Sequence, residues 1–77
     1  MSNTPHELAE EFPEKAERIH LLKTGDPHFR KLFDQYHEVN RAVHRAETRV
    51  EAMDDAAEQA LRRQRLMLKD ELSRMLA

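Results

Sequence analysis

Cysteine and tryptophan are absent, glycine occurs once, and proline occurs three times in 77 residues, with aromatics at 5%. Each shortage removes something. Without cysteine there is no disulfide framework and no thiolate metal site. With so few aromatics there is little material for a globular core, and none interleaves with the arginines to stack on bases. A single glycine cannot make a phosphate-cradling loop. No apolar run approaches the roughly 20 residues needed to span a bilayer. The N-terminus lacks the basic and apolar regions of a secretory signal, so the cytoplasm is the expected address.

Charge is plentiful but balanced. Charged residues make up 36% of the chain, 13 basic against 15 acidic, for a net charge of −2. A dedicated nucleic-acid binder would carry a basic excess. High charge, few breakers and many helix formers point to long helices with solvated faces in one small domain, residues 1–77. The fold class expected is all-α: an antiparallel, coiled-coil-like helical hairpin with a short leading helix.

The breakers divide the chain. Thr4-Pro5-His6-Glu7 has the form of a helix start. Pro13 interrupts that segment at Phe12, because proline lacks an amide hydrogen and clashes with the preceding turn. Residues 1–12 are therefore read as a frayed or kinked lead-in and 13–23 as helix 1. Ala16, Ile19 and Leu22 (or the stem of Lys23) form its modest apolar face. Thr24-Gly25-Asp26-Pro27 is the clearest punctuation: Gly25 is expected to supply a left-handed helix end, Asp26 to cap the next helix and Pro27 to open it.

Helix 2 is placed at 27–52. Phe29, Tyr36, Val43 and Val50 recur every seven residues, as do Leu32, Val39, Ala46 and Met53 with an offset of three. That 3-4 pattern describes a seam, with Phe33 and Asn40 on its flank. Helix 3, at 55–76, carries Ala57, Leu61, Leu68, Leu72 and Met75, with Gln64 and Arg65 as a polar layer. Asp55 and Glu58 have capping-box spacing, which places a turn near Met53–Asp55. In the resulting antiparallel register Tyr36 faces Leu72, Val39 faces Leu68, Ala46 faces Leu61 and Val50 faces Ala57. Helix 1 would fold over the wide end, bringing Ile19 and Leu22 to Phe29 and Phe33. One unbroken helix over residues 28–76 is the alternative architecture.

The stretch from Phe12 to Asn40, FPEKAERIHLLKTGDPHFRKLFDQYHEVN, resembles the YdcH-like family of small bacterial proteins. Its matching elements are Phe12-Pro13-Glu14, Ile19, Leu22-Lys23, Asp26-Pro27, Phe29, Leu32-Phe33-Asp34, Tyr36 and Asn40, with Glu47 further on. The tail from Gln64 to Leu72 looks like that family's second helix. The resemblance implies a helical hairpin with its loop near residue 54 and brings no catalytic or binding residues with it.

The chemistry-bearing residues support no reaction. Five histidines raise the question of a metal, but ligands one helical turn apart need a spacing of three or four. Within helix 2 the spacings are nine (His28 to His37) and seven (His37 to His44). Glu10, Glu11, Glu14 and Glu17 read as solvated helix surface. Ser2 and Ser73 lie at a terminus and on a helix surface, not in a nucleophile-bearing turn. The expectation is no catalytic residue, no cofactor and no metal: a non-enzyme.

Two surface features remain. Arg41, Arg45 and Arg49 step along helix 2 at intervals of four, while Arg62, Arg63, Arg65 and Lys69 cluster on helix 3. Brought together they would form a basic stripe, and a nucleic-acid-associated protein is the alternative function. Acidic residues interleave along both helices, which favours local neutralisation. Leu66 points away from the helix 3 stripe and Met67 sits at its edge, which suits a second interface. Scaffolds this small commonly gain stability by oligomerisation. The candidate interaction residues are thus Arg41, Arg45, Arg49, Arg62, Arg63, Leu66 and Met67. The expected partners are a second copy of the chain and an unidentified protein, with no membrane contact.

Overall fold

The computed structural model describes residues 6–48 and 53–77. Four α-helices and one 3-10 turn follow in order: α1 (Leu8–Glu11), the turn Pro13–Lys15, α2 (Ala16–Gly25), α3 (Pro27–Glu47) and α4 (Asp55–Leu76). The fold is all-α, with no strand among the described residues.

Pro13 ends α1 for a local reason. The residue before a proline is pushed out of the helical region, and Phe12 sits at φ −132°, ψ 65°. Its amide still donates to the Leu8 carbonyl (3.0 Å), so the turn closes before the chain leaves it. Pro13 then begins the 3-10 turn that runs into α2. Helix 1 of the sequence reading is thus a 3-10 turn followed by an α-helix that continues to Gly25. The Thr4–Pro5 helix start lies outside the described residues. Among those described, α1 begins after Glu7, without a side-chain cap.

Of the two readings of the lead-in, frayed or kinked, residues 8–12 are kinked at Phe12 and packed. Leu8 is fully buried and belongs to the same core cluster as Ile19, Phe29 and Tyr36, with Phe12 packed against it. Leu8 and Phe12 are four apart, so they share one face of the turn.

Asp26 makes the α2–α3 junction alone. Its extended backbone (φ −128°, ψ 105°) ends α2, and its amide donates to Leu22 O (2.9 Å). Its Oδ1 accepts from the amides of His28 (3.0 Å) and Phe29 (3.2 Å), which caps α3 at Pro27. Gly25 does not take the left-handed conformation expected of it: no glycine has a positive φ, and Gly25 is the last residue of α2. The stop comes from Pro27, which denies Asp26 a helical conformation.

Along α3 the heptad positions are the buried ones. Phe29, Tyr36 and Val43 are fully buried; Leu32, Val39 and Ala46 nearly so. α4 answers with Leu68, Leu72 and Leu76, while Leu61 and Met75 are partly buried. Ala57, assigned to this stripe from sequence, is exposed, so the α4 seam begins at Leu61. Glu47 meets Arg62 (3.0 Å) and Asn40 meets Arg65 (3.0 Å). Both links fall within a turn of the register in which Tyr36 faces Leu72, and α3 and α4 therefore run antiparallel. Fully buried Asn40, accepting from the Arg65 guanidinium, is the polar layer of the seam.

At the far end, α3 stops at Glu47, and Thr48 closes it: its amide and hydroxyl both donate to His44 O (3.0 and 2.9 Å). Of the helix expected to reach residue 52, residues 49–52, including Val50, lie outside the described residues. Met53 and Asp54 are non-helical, so α3 and α4 are not one continuous helix. Asp54, not Asp55, caps α4. It holds an extended backbone and its Oδ1 accepts from the Ala57 amide (2.8 Å). Asp55 and Glu58 sit in the first turn, where carboxylates favour the helix dipole.

Candidate interaction surface

Two regions of the molecule carry unusual side-chain arrangements. The first is a clasp that ties the leading segment to the helices. His6 holds a left-handed backbone (φ 64°), and its carbonyl accepts from the Tyr36 hydroxyl (2.6 Å). Glu11 accepts from Lys69 Nζ on α4 (3.0 Å), and the same ammonium lies 5.9 Å from the Phe12 ring. Glu7 meets Nδ1 of His37, which is buried beneath it with the Phe33 ring 4.3 Å away. His37 Nε2 is buried with no hydrogen-bond partner among the described residues.

These contacts shift the titrating groups. Burial holds the His37 imidazole below its ordinary value of 6.5, with Arg41 and Lys23 adding to the effect and the Glu7 and Asp34 carboxylates opposing it. Burial likewise pushes the Tyr36 phenol up to about 12, helped by the carboxylates of Glu11 and Glu7 and opposed by Arg65. The hydrogen bond from Lys69 is the main cause that holds Glu11 below its usual carboxylate range. A frayed or kinked lead-in over residues 1–12 implies none of these contacts; the Leu8–Phe12 spacing is the signal in the sequence that points to them.

The second region is the solvent side of α4. Leu66 and Met67 are 58% and 70% exposed, two of the three large hydrophobic residues so placed among the described residues. Gln59, Arg63, Asp70 and Arg74 are also exposed. Their spacings of three, four and seven put them on one face, turned away from Leu68 and Leu72.

Of the candidate arginines on α3, Arg41 and Arg45 are four apart and so share a helix face, and Glu38 lines the groove beside each. Arg41 borders a groove with Glu7, Phe33 and His37, and Arg45 the neighbouring one with Gln35 and Gln64. Arg49 lies outside the described residues. Arg62 binds the carboxylates of Glu47 (3.0 Å) and Glu58 (2.6 Å), and these hydrogen bonds, Glu47 first, raise its already high pKa. Arg63 lies on the outer face of α4 with Asp70 and Arg74. Among the described residues, no three histidine, aspartate or glutamate side chains gather as metal ligands. Nor, among them, is any helix long and apolar enough to cross a membrane.

The geometry defines a small all-α protein built on two antiparallel helices with a clasped leading segment. A family model described as "Protein of unknown function (DUF465)" matches residues 29–76, which is most of the chain and covers α3 and α4. The chain belongs to that family. No curated protein and no solved structure matches it significantly.

Proposed function

We propose that this chain is a non-catalytic helical interaction module, and that the outer face of α4 is its docking surface. The observation that carries the reading is the adjacent pair Leu66–Met67, more than half exposed on a helix whose opposite face already supplies the core. A single exposed hydrophobe is ordinary, and Leu21 on α2 is one such residue. Two consecutive ones on the outer side of one helix are less common, and methionine in particular adapts to a partner's shape. Another helix laid along α4 would remove both side chains from water. The Phe12–Asn40 resemblance supports grouping the chain with the YdcH-like proteins and taking the bacterial cytoplasm as its setting.

A photo-crosslinking amino acid at position 67, installed in the full chain in its native host, tests this reading. The expected result is a protein adduct at 67 that disappears with Leu66→Ser and does not form from exposed position 31 on α3. Absence of any adduct at 67, or equal capture at 31, refutes the docking surface.

A further inference from the structure

The charges around Leu66 and Met67 are arranged in mirror order. Three residues before Leu66 stands Arg63; three residues after Met67 stands Asp70. One turn further out on the same face are Gln59 and Arg74. Arg63 and Asp70 are seven residues apart, about 10 Å along the axis, and both are exposed. Some opposite charges on the surface find each other within the chain: Arg30 with Asp34, Arg62 with Glu58, Lys69 with Glu11. Arg63 and Asp70 form no ion pair among the described residues.

We propose that the occupant of this face is a second copy of the chain, docked with its α4 antiparallel across a two-fold axis that passes between Leu66 and Met67. The proposal rests on the docking surface argued above. With the axis there, position 66 of one copy lies level with 67 of the other, and position 63 level with 70. Leu66 and Met67 of each copy meet those of its mate beside the axis, and Arg63 of each copy meets Asp70 of its mate, so the two ion pairs bracket the apolar centre. A parallel pairing in register would set Arg63 against Arg63 and Asp70 against Asp70, which like-charge repulsion disfavours. The arrangement uses the same patch on both copies and therefore closes as a dimer. Stable interfaces bury about 1,200–2,000 Å² in total. One helix face per copy offers less, so the dimer forms weakly, in a concentration-dependent and salt-sensitive way.

Sedimentation equilibrium of the full chain over about 1 µM to 1 mM, a range that brackets weak association, reads the monomer–dimer balance. Reversing one charge, R63D or D70R, sets two like-charge contacts in place of two attractive ones and weakens association by about tenfold. Mixing the two variants is the decisive step, because the acidic pair at 63 and 70 of one then meets the basic pair of the other. The mixture recovers dimerisation to within about threefold of the parent chain, and added salt weakens the recovered complex. Helical circular dichroism controls for folding, and both positions are exposed. A chain that stays monomeric throughout the range overturns the proposal, as does a mixture no better than either variant alone. If the chain is monomeric while position 67 still crosslinks to a different protein, self-association fails and the docking surface stands. If position 67 captures nothing, the docking surface itself fails.

Discussion

Leu8→Ala measures whether the leading segment belongs to the folded unit. The Leu8 side chain is fully buried in the core cluster, while its four-residue helix has no side-chain cap to stabilise it independently. Truncating a buried leucine costs about 2–5 kcal/mol when the surroundings cannot relax. Here the loss is limited by how firmly the clasp closes, since an opened clasp has nothing further to lose. The expected cost is therefore near the transfer term for one leucine, about 1.5–3 kcal/mol. In a domain of this size that lowers the melting temperature by several degrees, at roughly 4–8 °C per kcal/mol. Tyr36, the only tyrosine in the chain, reports the same event spectroscopically. In the closed state its phenol titrates at about 12 and donates to the His6 carbonyl. With the clasp open it regains solvent and moves back towards its ordinary value of 10.0, followed by tyrosinate absorbance. Because the folded value is raised, the neutral phenol's contribution is whole below pH 10.0 and is lost as pH rises towards about 12. A Leu8→Ala chain that melts with the parent and keeps Tyr36 at about 12 would refute a packed leading segment.

Acid should loosen the same clasp. The folded-state pKa of His37 is depressed, so its contribution is whole above 6.5 and is lost as pH falls through the folded value; hydrogen-exchange protection of the Glu10, Glu11 and Phe12 amides should drop across that window relative to α3, and His37→Gln should remove the drop. Glu11, also depressed, contributes above its ordinary value of 4.5 and loses that contribution as pH falls through its folded value, so Lys69→Met should shrink this lower step in the same experiment, leaving the smaller part due to His6. Gly25→Ala should be neutral or stabilising by about 0.4–1 kcal/mol in thermal melts, since Gly25 has no positive φ and a Cβ there meets no atom within 4 Å. Asp54→Ala should cost about 0.5–2 kcal/mol as a lost helix cap, and Asp55→Ala clearly less.

The parts legible in the sequence were those written as local chemistry or strict periodicity. Phe29, Tyr36 and Val43 announced the seam through their heptad spacing, and all three are fully buried. Asp26-Pro27 announced a capped helix start through residue type alone, and both capping hydrogen bonds are present. Where two local solutions compete, sequence misleads. Asp54 and Asp55 each stand three residues before a plausible partner, and the extended backbone of Asp54 decides between them. At Gly25, residue type pointed to a left-handed stop, but Pro27 had already ended the helix by constraining Asp26. The clasp was illegible because its contacts span the chain: Tyr36 reaches back 30 positions to His6, and Lys69 reaches 58 to Glu11. Arg62 looked available for a partner from its neighbours on α4 and is bound across the seam by Glu47, which periodicity alone does not reveal.

Everything depends on α4 folding back along α3 within one chain. Glu38 and Glu71 are exposed and lie at matching heights on the two helices, and the chain has no native cysteine to interfere with labelling. Spin labels at Glu38→Cys and Glu71→Cys, diluted with excess unlabelled chain, report their separation by pulsed dipolar spectroscopy. Packed antiparallel helices place the two backbones about 10 Å apart. A separation near 50 Å, the span of an uninterrupted helix between those positions, or a short distance that vanishes on dilution, would contradict the structure.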